Sequence, residues 1–95
     1  METSKAYLIT ESGKEIEVKP RNGIAFSLEE AQNMVHGYIE VIYLNRAQIM
    51  IMNEEGKFYG RANDKASCLA HANHAIMPTD YISGDVVVCP SEMLP

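Results

Sequence analysis

Two neighbouring segments, residues 38–44 and 47–52, constrain this chain more than any other part of it. Both are rich in β-branched, aromatic and Met residues, and Asn45-Arg46 stands between them. That composition favours strands, and Asn tolerates the positive φ of a tight hairpin turn. Strand alternation puts Ile39, Val41 and Tyr43 on one face, and Tyr38, Glu40, Ile42 and Leu44 on the other. In the second segment Ile49 and Ile51 share one face, and Gln48, Met50 and Met52 share the other. An antiparallel sheet that meets water normally has one polar face, and neither strand offers one. Either both faces are covered within the domain, or a second chain covers one of them.

The remaining elements fall into place around this hairpin. Residues 6–10 and 15–19 flank Glu11-Ser12-Gly13-Lys14, whose Gly supplies the φ > 0 that a short hairpin loop needs. Ile16 and Val18 point inward and Pro20 ends that strand. Ser27-Leu28-Glu29-Glu30 matches a capping box, so a helix is predicted from Leu28 to about His36. Leu28, Ala31, Met34 and Val35 form its buried stripe, and Gly37 closes it. After the polar turn 53–56, Phe58 and Tyr59 are expected as a short third strand. Asn63 or Asp64 caps a second helix over 65–75. Val86-Val87-Val88-Cys89 is a continuous apolar run, which suits a strand inside the sheet beside a strand of the central hairpin. The expected fold is α+β, with two short helices and a mostly antiparallel sheet in the order β-β-α-β-β-β-α-β.

Length and charge narrow the function classes. Ninety-five residues make one domain, with an ordered core expected over 5–90 and a loose tail over 91–95. A formal net charge of −5 disfavours nonspecific binding to nucleic acid or anionic lipid. No apolar run approaches a membrane span, and no signal-peptide pattern opens the sequence. Two cysteines are too few for a disulfide scaffold. The expectation is a cytoplasmic protein with reduced thiols.

Several constellations bear on chemistry. Cys68-x-x-His71-x-x-His74 brings metal-ligand residue types together at helical spacing. Six residues span about 1.7 turns, so all three cannot share one face. A structural zinc needs four ligands, so Cys89 or His36 would have to complete the set. A cysteine paired with a histidine is the pattern of a thiol nucleophile, but Cys68 and Cys89 both fall on apolar faces, where thiols are inert packing. No phosphate loop, nucleophile elbow or dinucleotide fingerprint occurs. Catalytic residues and cofactors are therefore not assigned. The tyrosines, with Phe58 and Arg61, offer a stacking surface for a base or a partner. Met50 and Met52 share a strand face that is either core or an adaptable interface.

An ordered series of motifs adds a resemblance. Gln32-Asn33-Met34-Val35-His36-Gly37-Tyr38-Ile39-Glu40-Val41 is followed by Asn53-Glu54-Glu55-Gly56-Lys57-Phe58. Gly60-Arg61-Ala62-Asn63 and Gly84-Asp85-Val86-Val87-Val88 complete the series. Between Ser27 and Cys89 the chain resembles a family of small bacterial and bacteriophage proteins catalogued as a domain of unknown function. The family pattern has a Gly-Gly pair where this chain has His36-Gly37, and a Pro where it has Ala62. The resemblance implies a phage or mobile-element accessory protein, and it supplies no catalytic residues.

Two function classes follow as expectations. The first is a non-enzymatic binding protein that meets a protein partner. It would also self-associate through Tyr38, Ile42, Leu44, Met50 and Met52. The second is a small-molecule or nucleotide binder built from Asn53, Glu54, Tyr59, Arg61 and Asn63, residues that the turn after the hairpin brings near one another. An enzyme using Cys68, His71 and His74 is the third possibility, and it carries less weight.

Overall fold

The computed structural model of the protein describes residues 4–94. One five-stranded antiparallel sheet runs through the middle, in the order β2-β1-β5-β4-β3. Its strands are β1 (Ala6–Ile9), β2 (Glu15–Val18), β3 (Ile39–Tyr43), β4 (Gln48–Asn53) and β5 (Val86–Pro90). Three helices accompany them: α1 (Leu28–Val35), the single turn α2 (Gly56–Tyr59) and α3 (Asp64–Ala72). The fold is α+β, as the residue pattern predicts.

Both faces of the middle of the sheet, β4 and β5, are covered by this one chain. On one side Met50, Met52, Leu44, Val86, Val88 and Ile9 pack with Ala66 and Ala70 of α3 and with Ile82. On the other, Ile49, Ile51, Val87, Cys89 and Ala6 pack with Phe26 and with Ala31 and Val35 of α1. The double greasiness of the central hairpin is thus resolved within the domain, as the middle layer of three. Ala66 and Ala70 are the buried residues by which α3 covers that side. Leu44, Met50 and Met52, expected at an interface, are core side chains for this reason, and Ile42 is packed against the same cluster. Of that expected patch only Tyr38 is well exposed, at 68%.

β5 is buried along its whole length, between β1 and β4. Its position accounts for the main departure from expectation. A third meander strand would have to pair with β4, but β3 and β5 already occupy both sides of β4. Phe58 and Tyr59, only two residues against the apolar run of β5, form the last part of α2 instead.

The helix ends follow their caps. In α1 the Glu30 amide donates to Ser27 Oγ at 3.1 Å and the Ser27 amide to Glu30 Oε1 at 2.9 Å, so the capping box is complete. The amides of Ser27 and Arg21 hold the Glu30 carboxyl below its ordinary value. Ala31 and Val35 are buried as expected, but Leu28 lies outside the stripe and is exposed. The left-handed residue that closes the helix is His36, with φ 68°, and not Gly37. Asn63, rather than Asp64, caps α3, which ends at Ala72.

Two smaller expectations also change. Asn45 keeps a negative φ, and its side chain closes the β3–β4 turn by accepting from the Ala47 and Gln48 amides, each at 3.0 Å. The segment 91–94, expected loose, is held in place. Ser91–Met93 forms a 3-10 turn, the Phe26 amide donates to Met93 O at 2.7 Å, and Met93 and Leu94 pack on the α1 side of the core. Residue 95 lies outside the described residues. Among the described residues, no helix is long and apolar enough to cross a membrane.

Candidate functional site

At one end of the sheet the C-terminus of α1, the turn after β4, α2 and the turn before β5 surround a cleft of about 280 Å³. Glu11, His36, Asn53, Tyr59, Gly60 and Asp85 are among the residues that line it. A second, shallower groove shares His36 and runs along Gln32, Asn33 and Gly37 to Tyr38.

Side-chain bonds between remote parts of the chain build the cleft. Asp85 Oδ1 accepts from the Glu11 amide at 3.0 Å, and Asp85 Oδ2 lies 3.2 Å from His36 Nε2. Asp85 therefore ties the β1–β2 turn to the end of α1. Glu11 Oε2 accepts from the Arg61 amide at 2.9 Å, and Arg61 O accepts from the Gly84 amide at 2.8 Å. Asn53 Nδ2 donates to Val35 O at 3.0 Å while its Oδ1 accepts from the Glu55 amide at 2.7 Å. One Asn thus joins the end of α1 to the start of α2. On the far side of α2, Lys57 pairs with Asp80 and sits 4.8 Å from the centre of the Tyr81 ring. The Lys57 contact holds the Asp80 carboxyl below its ordinary value and raises the Lys57 ammonium.

The expected ligand residues divide sharply. Asn53 and Tyr59 line the cleft, and Tyr59 is 81% exposed with Phe58 beside it at 82%. Glu54 and Arg61 are exposed but stand outside the lining. Asn63 is fully buried and all of its amide is engaged. Its Nδ2 donates to Ile9 O at 3.0 Å and to Gly84 O at 2.8 Å, and its Oδ1 accepts from the Ala66 amide at 3.0 Å. It holds the floor beneath the site and cannot reach a ligand. Glu11, His36 and Asp85 enter the site without having been expected there. Asp85 belongs to the closing Gly-Asp motif, and His36 marks the departure from the Gly-Gly pair, so both carried a signal. Glu11 carried none beyond its place in a hairpin loop.

The cleft is acidic, and its lining contains no Ser, Thr, Cys or Lys. A nucleotide phosphate would face the carboxylates of Glu11 and Asp85, which argues against the nucleotide reading. The metal-ligand pattern also disperses. Cys68 is exposed on α3, His71 Nε2 lies 2.9 Å from Asp80 O, and His74 stands past the helix with φ 54°. Among the described residues, no group of three or more His, Cys, Asp or Glu side chains is arranged to hold a metal ion. Cys89 is sealed under α1, and burial pushes its thiol up to about 11.

The two residues at the end of α1 give opposite mutational expectations. His36 carries a side chain at φ 68°, a conformation that costs a non-Gly residue roughly 1–2 kcal/mol. Its contact with Asp85 is exposed and contributes roughly 0–1 kcal/mol. His36→Gly is therefore expected to stabilise the fold by about 0.5 kcal/mol, once the greater freedom of Gly in the unfolded chain is set against the relieved strain and the lost contact. A Cβ on Gly37 would sit 2.8 Å from Asn53 Nδ2, the donor that holds Val35 O. Gly37→Ala is expected to destabilise by roughly 1–2 kcal/mol. Urea midpoints measured on both variants check the opposite signs.

The chain is thus a small three-layer α+β domain with a polar cleft where the sheet meets two helix ends. The chain belongs to the family DUF3846, a domain of unknown function, whose model matches residues 4–93. No curated protein and no solved structure matches the chain.

Proposed function

We propose that this protein is a non-enzymatic binding protein whose cleft receives a basic side chain from a protein partner. The observation that carries the reading is the meeting of Glu11, Asp85 and the exposed Tyr59 ring at one open cleft. Carboxylates paired with an aromatic face suit a guanidinium, which donates hydrogen bonds from its edge and stacks on a ring with its plane. The net charge of −5 attracts a cationic partner over a longer range. The groove that shares His36 and leads to Tyr38 gives room for residues flanking the basic one, which favours a peptide segment over an isolated small molecule. The resemblance to phage and mobile-element proteins supports a role inside a bacterial cell, with a host protein as the partner.

The test is a titration of the isotope-labelled protein with a short Arg-containing peptide and with its Arg→Glu counterpart. The Arg peptide is expected to move the backbone signals of Glu11, His36, Tyr59 and Asp85, with an affinity that falls as salt rises. Tyr59→Ala removes an exposed ring without touching the core, and is expected to weaken binding about tenfold, in the range of a cation–π contact at a partly desolvated site. Signals that move equally with the acidic peptide, or that move only away from the cleft, would remove this reading.

A further inference from the structure

β3 is an edge strand, and a single charge is all it carries of the devices that keep edges apart. Its neighbour in the sheet is β4 alone. The Glu54 amide donates to Tyr38 O and the Leu44 amide to Gln48 O, so the even-numbered residues from 38 to 44 turn their backbone groups towards β4. Antiparallel alternation then turns the N–H and C=O of Ile39, Val41 and Tyr43 outward. Among the described residues nothing pairs with them. The opposite edge, β2, is guarded. Glu15 and Glu17 flank Ile16 there, each in a contact with a lysine (Lys65 and Lys5), and Pro20 follows. Charges and Pro are the usual protection of an edge. β3 has a single charge, Glu40, and no Pro or bulge over five residues.

We propose that β3 pairs antiparallel with β3 of a second copy of this chain, about a two-fold axis at Val41, to give a continuous ten-stranded sheet. The occupant is set by how the strand fits itself. The outward groups of Ile39, Val41 and Tyr43 meet those of Tyr43, Val41 and Ile39 of the partner subunit, so the whole strand is paired. Glu40 then stands opposite Ile42 of the partner subunit. A two-fold axis at Glu40 would set the two carboxylates against each other, which is destabilising. In the favoured register the Tyr43 ring, 66% exposed in the single chain, lies across from Ile39 of the partner subunit, an aromatic and β-branched pair made twice by symmetry. Pairing β3 with the guarded β2 of another copy would leave two free edges and build an open fibre, whereas the two-fold pairing closes. This contact is separate from the cleft and stands without the proposal made for it.

Sedimentation of the full chain tests the pairing, with Val41→Pro as the discriminating variant. The Val41 N–H points away from β4, and an edge position with its N–H outward is where a strand tolerates Pro. The wild type is expected to sediment as a dimer. Val41→Pro is expected to sediment as a monomer at the same concentration, with its circular dichroism spectrum unchanged. Val41→Cys in a Cys68→Ser background gives a second readout. Directly opposed residues of a hydrogen-bonded pair have Cα atoms about 5.5 Å apart, within disulfide range, so mild oxidation is expected to link two chains. A wild type that stays monomeric at high concentration overturns the proposal. So does a dimer that Val41→Pro leaves intact.

Discussion

Asn63→Ala is expected to destabilise the protein by roughly 2–4 kcal/mol, the sum of a lost helix cap and one buried and one part-buried carbonyl left without this donor. A single amide reaches three separate parts of the molecule. It accepts from Ala66 to start α3, and donates to Ile9 O on β1 and to Gly84 O in the turn before β5. The contacts to Ile9 O and to the Ala66 amide are buried, and the one to Gly84 O is part-buried, so water replaces the lost amide poorly. Against a typical stability of about 5–15 kcal/mol, the loss is a large fraction of the whole. Asn63→Asp separates the two roles of the side chain. The carboxylate keeps the cap but sets a negative oxygen against two carbonyls, so the folded state raises its pKa above the unfolded value. Its penalty is then complete above the folded pKa and eases as pH falls through it, because a protonated carboxyl regains one donor. Urea unfolding of both variants at neutral and mildly acidic pH is the measurement. Asn63→Asp is expected to recover part of its loss at the lower pH, and Asn63→Ala is not. An Asn63→Ala midpoint close to wild type would mean that the carbonyls of Ile9 and Gly84 find other donors.

The sequence disclosed the layers better than the site, and the reasons are physical. Ile49 and Ile51 against Met50 and Met52 announced two covered faces, because alternation along a strand is a local property. Val86 to Cys89 announced a central strand for the same reason. Ser27 and Glu30 stand three residues apart, so their mutual cap could be read directly. What alternation does not contain is the identity of the cover. Met50, Met52 and Leu44 were as consistent with a second chain as with α3, and it is Ala66 and Ala70 of α3, with Ile82, that cluster with them. Phe58 and Tyr59 looked like strand residues on composition, and lost that place to β5, which comes almost thirty residues later in the chain. The cleft was harder still. Glu11 and Asp85 are 74 residues apart and His36 and Asp85 are 49 apart, so no window of the sequence holds the site. Asn53 and Asn63 were found because Asn is distinctive in turns and caps. Those local roles turned out to absorb Asn63 entirely and most of the hydrogen bonding of Asn53.

Gly60→Ala is expected to damage the stability and the cleft together. A Cβ at this position would lie 2.8 Å from Gly84 Cα, and 2.9 Å from both Gly84 N and Gly56 O. Each of these is a backbone atom, so no flexible side chain can swing aside, and α2 must separate from the turn that precedes β5. Overpacking of this kind costs roughly 1–3 kcal/mol, and it falls where the Gly84 amide donates to Arg61 O at 2.8 Å. The consequence for binding follows from the same geometry. Tyr59 rides on α2 and Asp85 follows Gly84, so forcing the two segments apart moves the ring away from the carboxylate that is proposed to share its ligand. The variant is therefore expected to lose Arg-peptide affinity beyond what its unfolded fraction explains, in a titration run at a temperature where it is still folded. Tyr59→Ala supplies the contrast, since it removes the ring and leaves the backbone contact and the urea midpoint alone. If Gly60→Ala keeps both the wild-type midpoint and the wild-type affinity, the close approach of α2 to Gly84 is not what shapes the cleft, and the ligand's seat must be sought on the His36–Tyr38 groove instead.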